Sequence, residues 1–141
     1  MTPEQAARFL YGPHIAHVVT QRADGSSHVV PVWYAFVDET FAIFTPGTSV
    51  KVKNLARDPR LTISIASSDR PYRYVVANGL ATVTAMAGAN DDVYVRAQSI
   101  AARYEGGPDG GRAYMDKLLT RFPVSLITMA PTAMRQWTSE R

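Results

Sequence analysis

The chain has 141 residues and no cysteine, which excludes disulfides, zinc–thiolate sites and thiol nucleophiles, and its length is most simply that of a single domain, residues 1–141. Its net charge of +3 suits anionic small molecules, but the scattered arginines do not form the basic tail typical of nucleic-acid binding. The sequence has neither a long apolar run nor a basic segment followed by an apolar one, so we expect no membrane span, no secretory signal and a cytoplasmic location.

The N-terminus predicts a short helix. Thr2 suits the N-cap, Pro3 suits the first helical position, and Gln5 stands where a capping box takes a glutamine. We expect this helix to end at Leu10, because the glycine–proline pair that follows is a helix stop signal.

Strand-like segments come next. Apolar and β-branched runs bounded by turn signals predict mostly antiparallel strands at residues 15–21, 28–37, 41–45, 61–67, 72–86 and 124–138. Pro31 is unusual within such a run, because proline cannot donate a hydrogen bond to a strand ladder. It indicates an edge, a bulge or a backbone that faces a ligand. The strand at 72–86 is expected to be broken or bulged near Asn78-Gly79, and the last strand to be interrupted at Pro131.

Three further helices are predicted, at residues 49–58, 90–105 and 112–122. Ser49 and Asn90 are the expected N-caps of the first two, and residues 106–111 are expected to form a loop before the third. Strands at short spacing with few helices indicate a mainly β domain, a barrel or sandwich of six to seven strands with flanking helices.

The sequence contains no self-sufficient catalytic set. It lacks the glycine-rich phosphate loops of nucleoside triphosphatases and dinucleotide-binding folds, and it lacks the G-x-S-x-G elbow of serine hydrolases. His14 and His17 do not have the spacing of a helical metal pair, and the carboxylates of Asp91 and Asp92 fit the dipole at a helix N-terminus better than catalysis. No metal site is therefore predicted, and an enzyme with this sequence would need a cofactor to carry its chemistry.

The segment FTPGTSVKVKNLARDP, residues 44–59, brings hydroxyls and lysines to the start of a predicted helix. The first backbone N–H groups of a helix have no internal partners, so an anion is favoured at that end. Three residues add hydroxyl donors around the turn: Thr45, Thr48 and Ser49. Lys51 and Lys53 lie about 200° apart around a helix and cannot both face one anion. The alternative interpretation is a short surface helix with solvated lysines.

The order of these pieces resembles a known family. The motifs VVPVWYAF, FAIFTPGTSVKVKNLARDPRLTISI and YVVANGLATVT are similar to those of the flavin- and deazaflavin-dependent oxidoreductases, the split β-barrel proteins related to pyridoxamine 5′-phosphate oxidase. The resemblance covers residues 3–137 and is greatest with the branch that uses the deazaflavin coenzyme F420. It implies a split β-barrel and a homodimer with two cofactor sites at its interface.

The resemblance also implies which residues would bind the cofactor. The strand whose backbone lies against the tricyclic ring carries Val30, Pro31, Val32 and Trp33. The phosphate segment comprises Thr45, Thr48, Ser49, Lys51 and Lys53. The partner chain would contribute aromatic and basic groups, Tyr72, Tyr74, Arg135 and Trp137. Asn54 also matches the motif and would hold the turn. As an alternative, the two tyrosines would serve plain dimer packing and the tryptophan would cover the core.

The function that the resemblance implies is hydride transfer from reduced F420 to a small conjugated substrate such as an enone, a quinone or a tetrapyrrole. Two alternatives stay open, an FMN-dependent oxidoreductase of the same fold and a non-enzymatic barrel that binds a cofactor or haem. No catalytic side chain is assigned, because Arg135, Tyr72 and water are equal candidates to stabilise a developing negative charge on the substrate.

The choice between the two cofactors depends on a group of arginines. The oligoglutamate tail of F420 needs a basic groove beyond the phosphate. Four residues would form it if they converge: Arg57, Arg60, Arg70 and Arg73. If they do not converge, FMN is favoured, because that cofactor ends at its phosphate.

Overall fold

The computed structural model describes residues 1–139, which form four helices and eight strands. The helices are α1 (Pro3–Leu10), α2 (Val50–Arg57), α3 (Asp92–Tyr104) and α4 (Pro108–Leu119). The strands are β1 (Ala16–Gln21), β2 (Ser27–Val32), β3 (Ala35–Val37), β4 (Thr40–Pro46), β5 (Arg60–Ala66), β6 (Arg73–Ala85), β7 (Val124–Met129) and β8 (Ala133–Thr138). None of the helices in this part of the chain has the length and apolar character that crossing a membrane requires.

The strands form a split β-barrel. All strand pairs are antiparallel, and the strand order is β2-β1-β5-β6-β7-β4-β3, with β8 paired to β6. The long strand β6 joins the two halves, because its residues 73–80 pair with β5 and β8 while its residues 81–85 pair with β7. The predicted fold class is therefore confirmed. The strand count exceeds the expected six to seven because two of the predicted strands are each divided in two.

Alternate side chains of the strands fill the barrel interior. In β5, Leu61, Ile63 and Ile65 are buried while the residues between them face outward, as the alternating sequence predicts. Phe9 of α1 and Leu55 of α2 belong to the same core cluster, so both helices are fixed against the barrel. Burial of such side chains is the main contribution to the stability of a domain of this size.

The N-terminal helix is confirmed in detail. The backbone N–H of Gln5 donates to the Thr2 hydroxyl at 3.1 Å, and the backbone N–H of Thr2 donates to the Gln5 side-chain oxygen at 2.8 Å. This reciprocal pair is the predicted capping box, with Pro3 at the first helical position.

The helical hairpin α3–α4 packs outside the barrel and differs from prediction in two places. The N-cap of α3 is Asp91, whose carboxylate accepts from the backbone N–H of Tyr94 at 2.9 Å, so the expected cap at Asn90 is wrong. Asn90 instead adopts a positive φ of 64°, which asparagine tolerates better than most residues. Helix α4 begins at Pro108 and not at residue 112, so most of the expected loop at 106–111 is helical.

The glycines explain the early start of α4. A Cβ added to Gly111 would lie 2.7 Å from the backbone nitrogen of Ala102 and 2.8 Å from the carbonyl oxygen of Gln98. Glycine therefore stands inside this helix because α4 approaches the backbone of α3 closely, which sequence composition alone does not reveal.

The predicted strand at 28–37 is divided into β2 and β3 by Trp33 and Tyr34. The backbone N–H of Tyr34 donates to the Tyr104 hydroxyl at 3.2 Å and not to a neighbouring strand. β2 also ends the strand order, so Pro31 lies on an edge strand, which is one of the three explanations its position suggested.

The break expected in the strand near Asn78-Gly79 lies instead between β7 and β8, the two strands that pair with this part of the sheet. β6 runs unbroken from Arg73 to Ala85, so the predicted break or bulge in it is wrong. The interruption is between β7 and β8, where Pro131 stands as predicted. A Cβ on Gly79 would lie 2.9 Å from the carbonyl oxygen of Ala130, so glycine is required by this close approach.

Candidate functional site

The start of α2 leaves its first backbone N–H groups without a side-chain cap. Ser49 is the N-cap residue and has extended backbone angles, as an N-cap should, but its hydroxyl caps no backbone group of the helix. The Thr45 hydroxyl instead donates to the Ser49 hydroxyl at 3.2 Å. The helix N-terminus therefore offers free backbone donors and positive dipole potential to an anion, with the Ser49 hydroxyl proton beside them.

Lys51 is the second residue of this helix and is half-buried. Among residues 1–139 its ammonium group makes no hydrogen bond and no ion pair with a carboxylate. Burial lowers the pKa of Lys51 below its usual value. Burial, Arg22 and Lys51 together lower the pKa of His28 on the adjacent strand β2. This end of the site therefore carries positive charge that no carboxylate of residues 1–139 pairs with.

The two lysines of the segment have different surroundings. Lys51 lies on the same helical face as the buried residues Asn54 and Leu55, whereas Lys53 is exposed. Thr48 is exposed as well. The prediction that the two lysines cannot share one anion therefore agrees with their placement.

Asn54 anchors α2 to the barrel. Its side-chain amide donates to the buried Thr20 hydroxyl of β1 at 3.0 Å, and its oxygen accepts from Arg57 at 3.2 Å. Arg57 also donates to the carbonyl oxygen of Gln21 at 2.6 Å. These bonds hold the C-terminal half of α2 against β1.

A pocket with a cavity volume of about 490 Å³ adjoins Lys51, and we call it the Lys51 pocket. Two of the residues that line it are polar, Lys51 and Thr45. The remaining walls are apolar and aromatic, formed by Ile15, Pro31, Val32, Trp33, Phe44, Pro46, Tyr114 and Leu118. The volume is in the range of pockets that bind small organic ligands.

Trp33 lies at the centre of a cluster of four aromatic side chains. Its ring stacks on Tyr104 with the centroids 5.0 Å apart and the planes at 4°. Tyr114 lies 4.7 Å from Trp33 at 48°, and Phe44 meets both rings at about 6 Å with an edge-to-face arrangement. The Tyr104 hydroxyl donates to the carbonyl oxygen of His14 at 2.6 Å, which fixes the base of this cluster.

The pocket therefore brings together five of the thirteen sequence-predicted site residues, namely Pro31, Val32, Trp33, Thr45 and Lys51. Ser49 adjoins them through its contact with Thr45. Val30 packs against the barrel core, and Thr48 and Lys53 do not line the pocket. Sequence reasoning missed the walls at Ile15, Phe44, Pro46, Tyr114 and Leu118. Two sequence signals could have pointed to four of these residues. Phe44 and Pro46 flank Thr45 in β4, and Tyr114 and Leu118 have the i, i+4 spacing of one helical face.

The four residues assigned to a partner chain lie elsewhere in the fold, on β8, near the start of β6 and just before it. Tyr74 of β6 and Trp137 of β8 are cross-strand neighbours whose rings stack at 5.8 Å and 20°, and both are exposed. The Arg70 guanidinium lies 5.5 Å from the centroid of the Tyr72 ring. None of Tyr72, Tyr74, Arg135 and Trp137 lines the Lys51 pocket of its own chain.

The arginines considered for a tail-binding groove do not converge within one chain. Arg57 and Arg60 lie at the start of β5, while Arg70 and Arg73 follow its other end. A strand of this length spans about 20 Å. Arg60 is engaged in a bidentate ion pair with Asp58, whose pKa it lowers to about 2. The Arg73 guanidinium lies over the Phe9 ring at 5.1 Å.

A larger cleft of about 780 Å³ lies between α3 and strands β3 and β4. It contains none of the predicted site residues, and both signs of charge line it, with Asp92, Arg96 and Arg103 on α3 and Asp38 between β3 and β4. Volume alone is a weaker guide than an unbalanced half-buried charge, so the Lys51 pocket is the stronger candidate.

Comparison with known proteins agrees with this geometry. The family model for pyridoxamine 5′-phosphate oxidase matches residues 2–138. The chain belongs to the pyridoxamine 5′-phosphate oxidase family. The match spans nearly the whole chain, including the split barrel, the α2 segment and the Lys51 pocket.

Solved structures share the family fold. A conserved hypothetical protein of Mycobacterium tuberculosis is 23% identical, with a TM-score of 0.82, and the match covers 99% of this chain and 86% of that one. A protein described as an F420 reductase is 24% identical, with a TM-score of 0.70 and coverage of 91% and 94%. The haem storage protein HutZ of Vibrio cholerae is 12% identical, with a TM-score of 0.69 and coverage of 96% and 94%.

These neighbours are all below 25% identity and carry an argument about the fold alone. Family membership supports a flavin- or deazaflavin-type oxidoreductase or cofactor binder in the pyridoxamine 5′-phosphate oxidase family.

Proposed function

We propose that this protein is an oxidoreductase that binds a flavin-type cofactor in the Lys51 pocket and transfers hydride to a small conjugated substrate. The observation that carries the proposal is the half-buried Lys51, which has no carboxylate partner in residues 1–139 and lies beside an uncapped helix N-terminus. Such a site has a net requirement for an anion, and a cofactor phosphate supplies one.

The residues present fit a phosphate joined to a planar ring. Ser49, the first N–H groups of α2 and Lys51 would hold the phosphate. The backbone of Pro31 and Val32, on an edge strand, would lie against the ring, and Trp33 would close its side. A missing N–H at Pro31 costs little where the neighbour is a ring and not another strand.

When bound, the reduced cofactor would supply the hydride for reduction of a polarised C=C or C=N bond. The chain's own contribution would be to orient the ring and to exclude water with the apolar wall of the pocket. A bound phosphate would raise the pKa of Lys51 again, because its negative charge opposes the effect of burial.

We propose further that the protein is a homodimer. Tyr74 and Trp137 are 41% and 47% exposed and adjoin each other on the outer face of β6 and β8, where Tyr72 is also exposed. An exposed group of large aromatic side chains is typical of a protein interface. In such a dimer these residues and Arg135 would reach the cofactor site of the partner.

Between the two cofactors, reduced F420 is our first candidate, because the α2 segment most resembles the F420-dependent branch and the 24% identical neighbour of the same fold is described as an F420 reductase. FMN is the second candidate, and one observation favours it. The four arginines expected to hold the oligoglutamate tail lie at opposite ends of β5 within the chain. FMN needs no such groove.

Titration of the purified protein with F420 and with FMN separately tests the proposal. We expect saturable binding of one of them with a dissociation constant in the micromolar range or below, and hydride transfer to a member of a panel of enones, quinones and tetrapyrroles. Binding without turnover on the whole panel would favour a non-enzymatic cofactor binder. Failure to bind either cofactor would overturn the proposal.

A further inference from the structure

We propose that Tyr114 of α4 recognises the planar ring of the ligand in the Lys51 pocket and so sets which ring systems the pocket accepts. The inference deepens the proposed function and rests on it for the chemical class of the ligand, a flavin or deazaflavin. It assigns ring recognition to α4, an element whose residues the sequence resemblance left without a role.

The position of Tyr114 in the aromatic wall is the first support. Its ring lies 4.7 Å from the Trp33 ring and 6.1 Å from the Phe44 ring. The other face of the arrangement is already occupied, since Tyr104 stacks on Trp33 in parallel. Tyr114 is the outer member of the cluster and is 36% exposed, so it is the aromatic side chain that an entering ring would meet.

The hydrogen-bond partners of the neighbouring tyrosines are the second support. Tyr34 donates to the carbonyl oxygen of Leu10 at 2.8 Å, Tyr94 donates to Asp116 at 3.1 Å, and Tyr104 donates to a backbone carbonyl. Within the described chain the Tyr114 hydroxyl has no such bond. The hydroxyls of these three tyrosines link separate parts of the fold by hydrogen bonds, whereas the Tyr114 hydroxyl makes no such link within residues 1–139.

The backbone of α4 holds Tyr114 in place. Gly111 lies one turn earlier and contacts the backbone of α3 so closely that a Cβ would stand 2.7 Å from the Ala102 nitrogen. Leu118, one turn after Tyr114, lines the same pocket. The helix therefore presents Tyr114 and Leu118 together from a rigid support, which reduces the entropy lost when a ligand binds.

The pocket consequently has two separable ends. Lys51 offers positive charge to an anion, and Tyr114 with Trp33 offers ring surface. A ligand that lacks the phosphate should lose the first interaction and keep the second. This separation allows the ring contact to be tested independently of the phosphate contact.

The test compares ligands with and without the phosphate. FMN is paired with riboflavin, and F420 with its phosphate-free deazariboflavin, and binding is followed by the fluorescence of the ligand itself. We expect Tyr114→Ala to raise the dissociation constants of both members of the pair that binds by about tenfold, and Tyr114→Phe to change them by less than about threefold. Lys51→Ala should raise only that of the phosphate-bearing member.

Two further variants control for packing. Tyr114→Leu keeps apolar bulk without a ring and should reproduce the loss of ring affinity at an unchanged melting temperature. Tyr94→Phe removes a hydroxyl from the same helical hairpin outside the pocket and should leave all dissociation constants unchanged.

The outcomes separate this inference from the proposed function. If Tyr114→Ala and Tyr114→Leu bind riboflavin or the deazariboflavin as the unmodified protein does, the assignment of Tyr114 is overturned while the proposed function stands. If Lys51→Ala leaves the dissociation constant of the phosphate-bearing ligand unchanged, the assignment of Lys51 to the phosphate fails. The Tyr114 variants, titrated with the phosphate-free ligands, still decide the role of Tyr114. If the unmodified protein binds none of the four ligands, both fail.

Discussion

Asn54 should be the residue on which the position of α2 depends most. Its amide donates to the Thr20 hydroxyl, and both residues are buried, at 4% and 0% exposure. Asn54→Ala would leave that hydroxyl without its partner and would also remove one of the two acceptors of Arg57, which keeps its bond to the Gln21 carbonyl. Leaving one buried polar group unsatisfied costs about 1–3 kcal/mol of unfolding free energy.

For a domain of this size, that loss corresponds to a fall in melting temperature of roughly 3–10 °C. Urea and thermal unfolding of the cofactor-free protein measure it, with Asn78→Ala as the matched control. Asn78 is exposed and donates to Thr62 at 3.4 Å, so its variant should lose less than about 0.5 kcal/mol. Equal effects of the two variants would refute the assignment of Asn54 as the anchor of α2.

Three further predictions concern charge, packing and assembly. Because burial depresses the pKa of Lys51, the folded protein loses that proton at lower pH than the unfolded chain, and an anion binds best while the group is charged. Cofactor affinity should therefore begin to fall at a pH below about 10.4, the ordinary pKa of lysine, and this fall should be absent in Lys51→Ala; a parallel fall in that variant would contradict the claim. Gly111→Ala should cost about 1–3 kcal/mol in urea unfolding, because its Cβ would contact the backbone of Ala102, and an unchanged midpoint would oppose it. The double variant Tyr74→Ser, Trp137→Ser should convert a dimer to a monomer in sedimentation velocity, and a dimer of unchanged affinity would place the interface elsewhere.

Local patterns predicted much of the fold. The capping box of α1, the alternation of β5 and the interruption at Pro131 all follow from short-range rules, and all are confirmed. The error at the start of α3 arose where two local rules compete. Asn90 and Asp91 are both good N-caps, and only the fold decides which of them accepts the bond from the helix.

The site was predictable on one side only. The polar end follows from a strand, a helix start and a lysine that are adjacent in sequence. The aromatic wall depends on the packing of α4 against Trp33, which joins distant parts of the chain. The glycines before Tyr114 predict a loop in the sequence. They lie inside helix α4, because the backbones of α3 and α4 approach each other closely there. No local pattern carries that information.

The central claim is that Lys51 binds the phosphate of a flavin-type cofactor, and paired titrations of Lys51→Ala and Lys53→Ala test it most directly. Both changes remove one positive charge from the same short helix, but only Lys51 lines the pocket. We expect Lys51→Ala to weaken binding of F420 or FMN by about 1–3 kcal/mol, roughly 5- to 150-fold, and Lys53→Ala to change it by less than about threefold. Equal dissociation constants for the two variants would contradict the account.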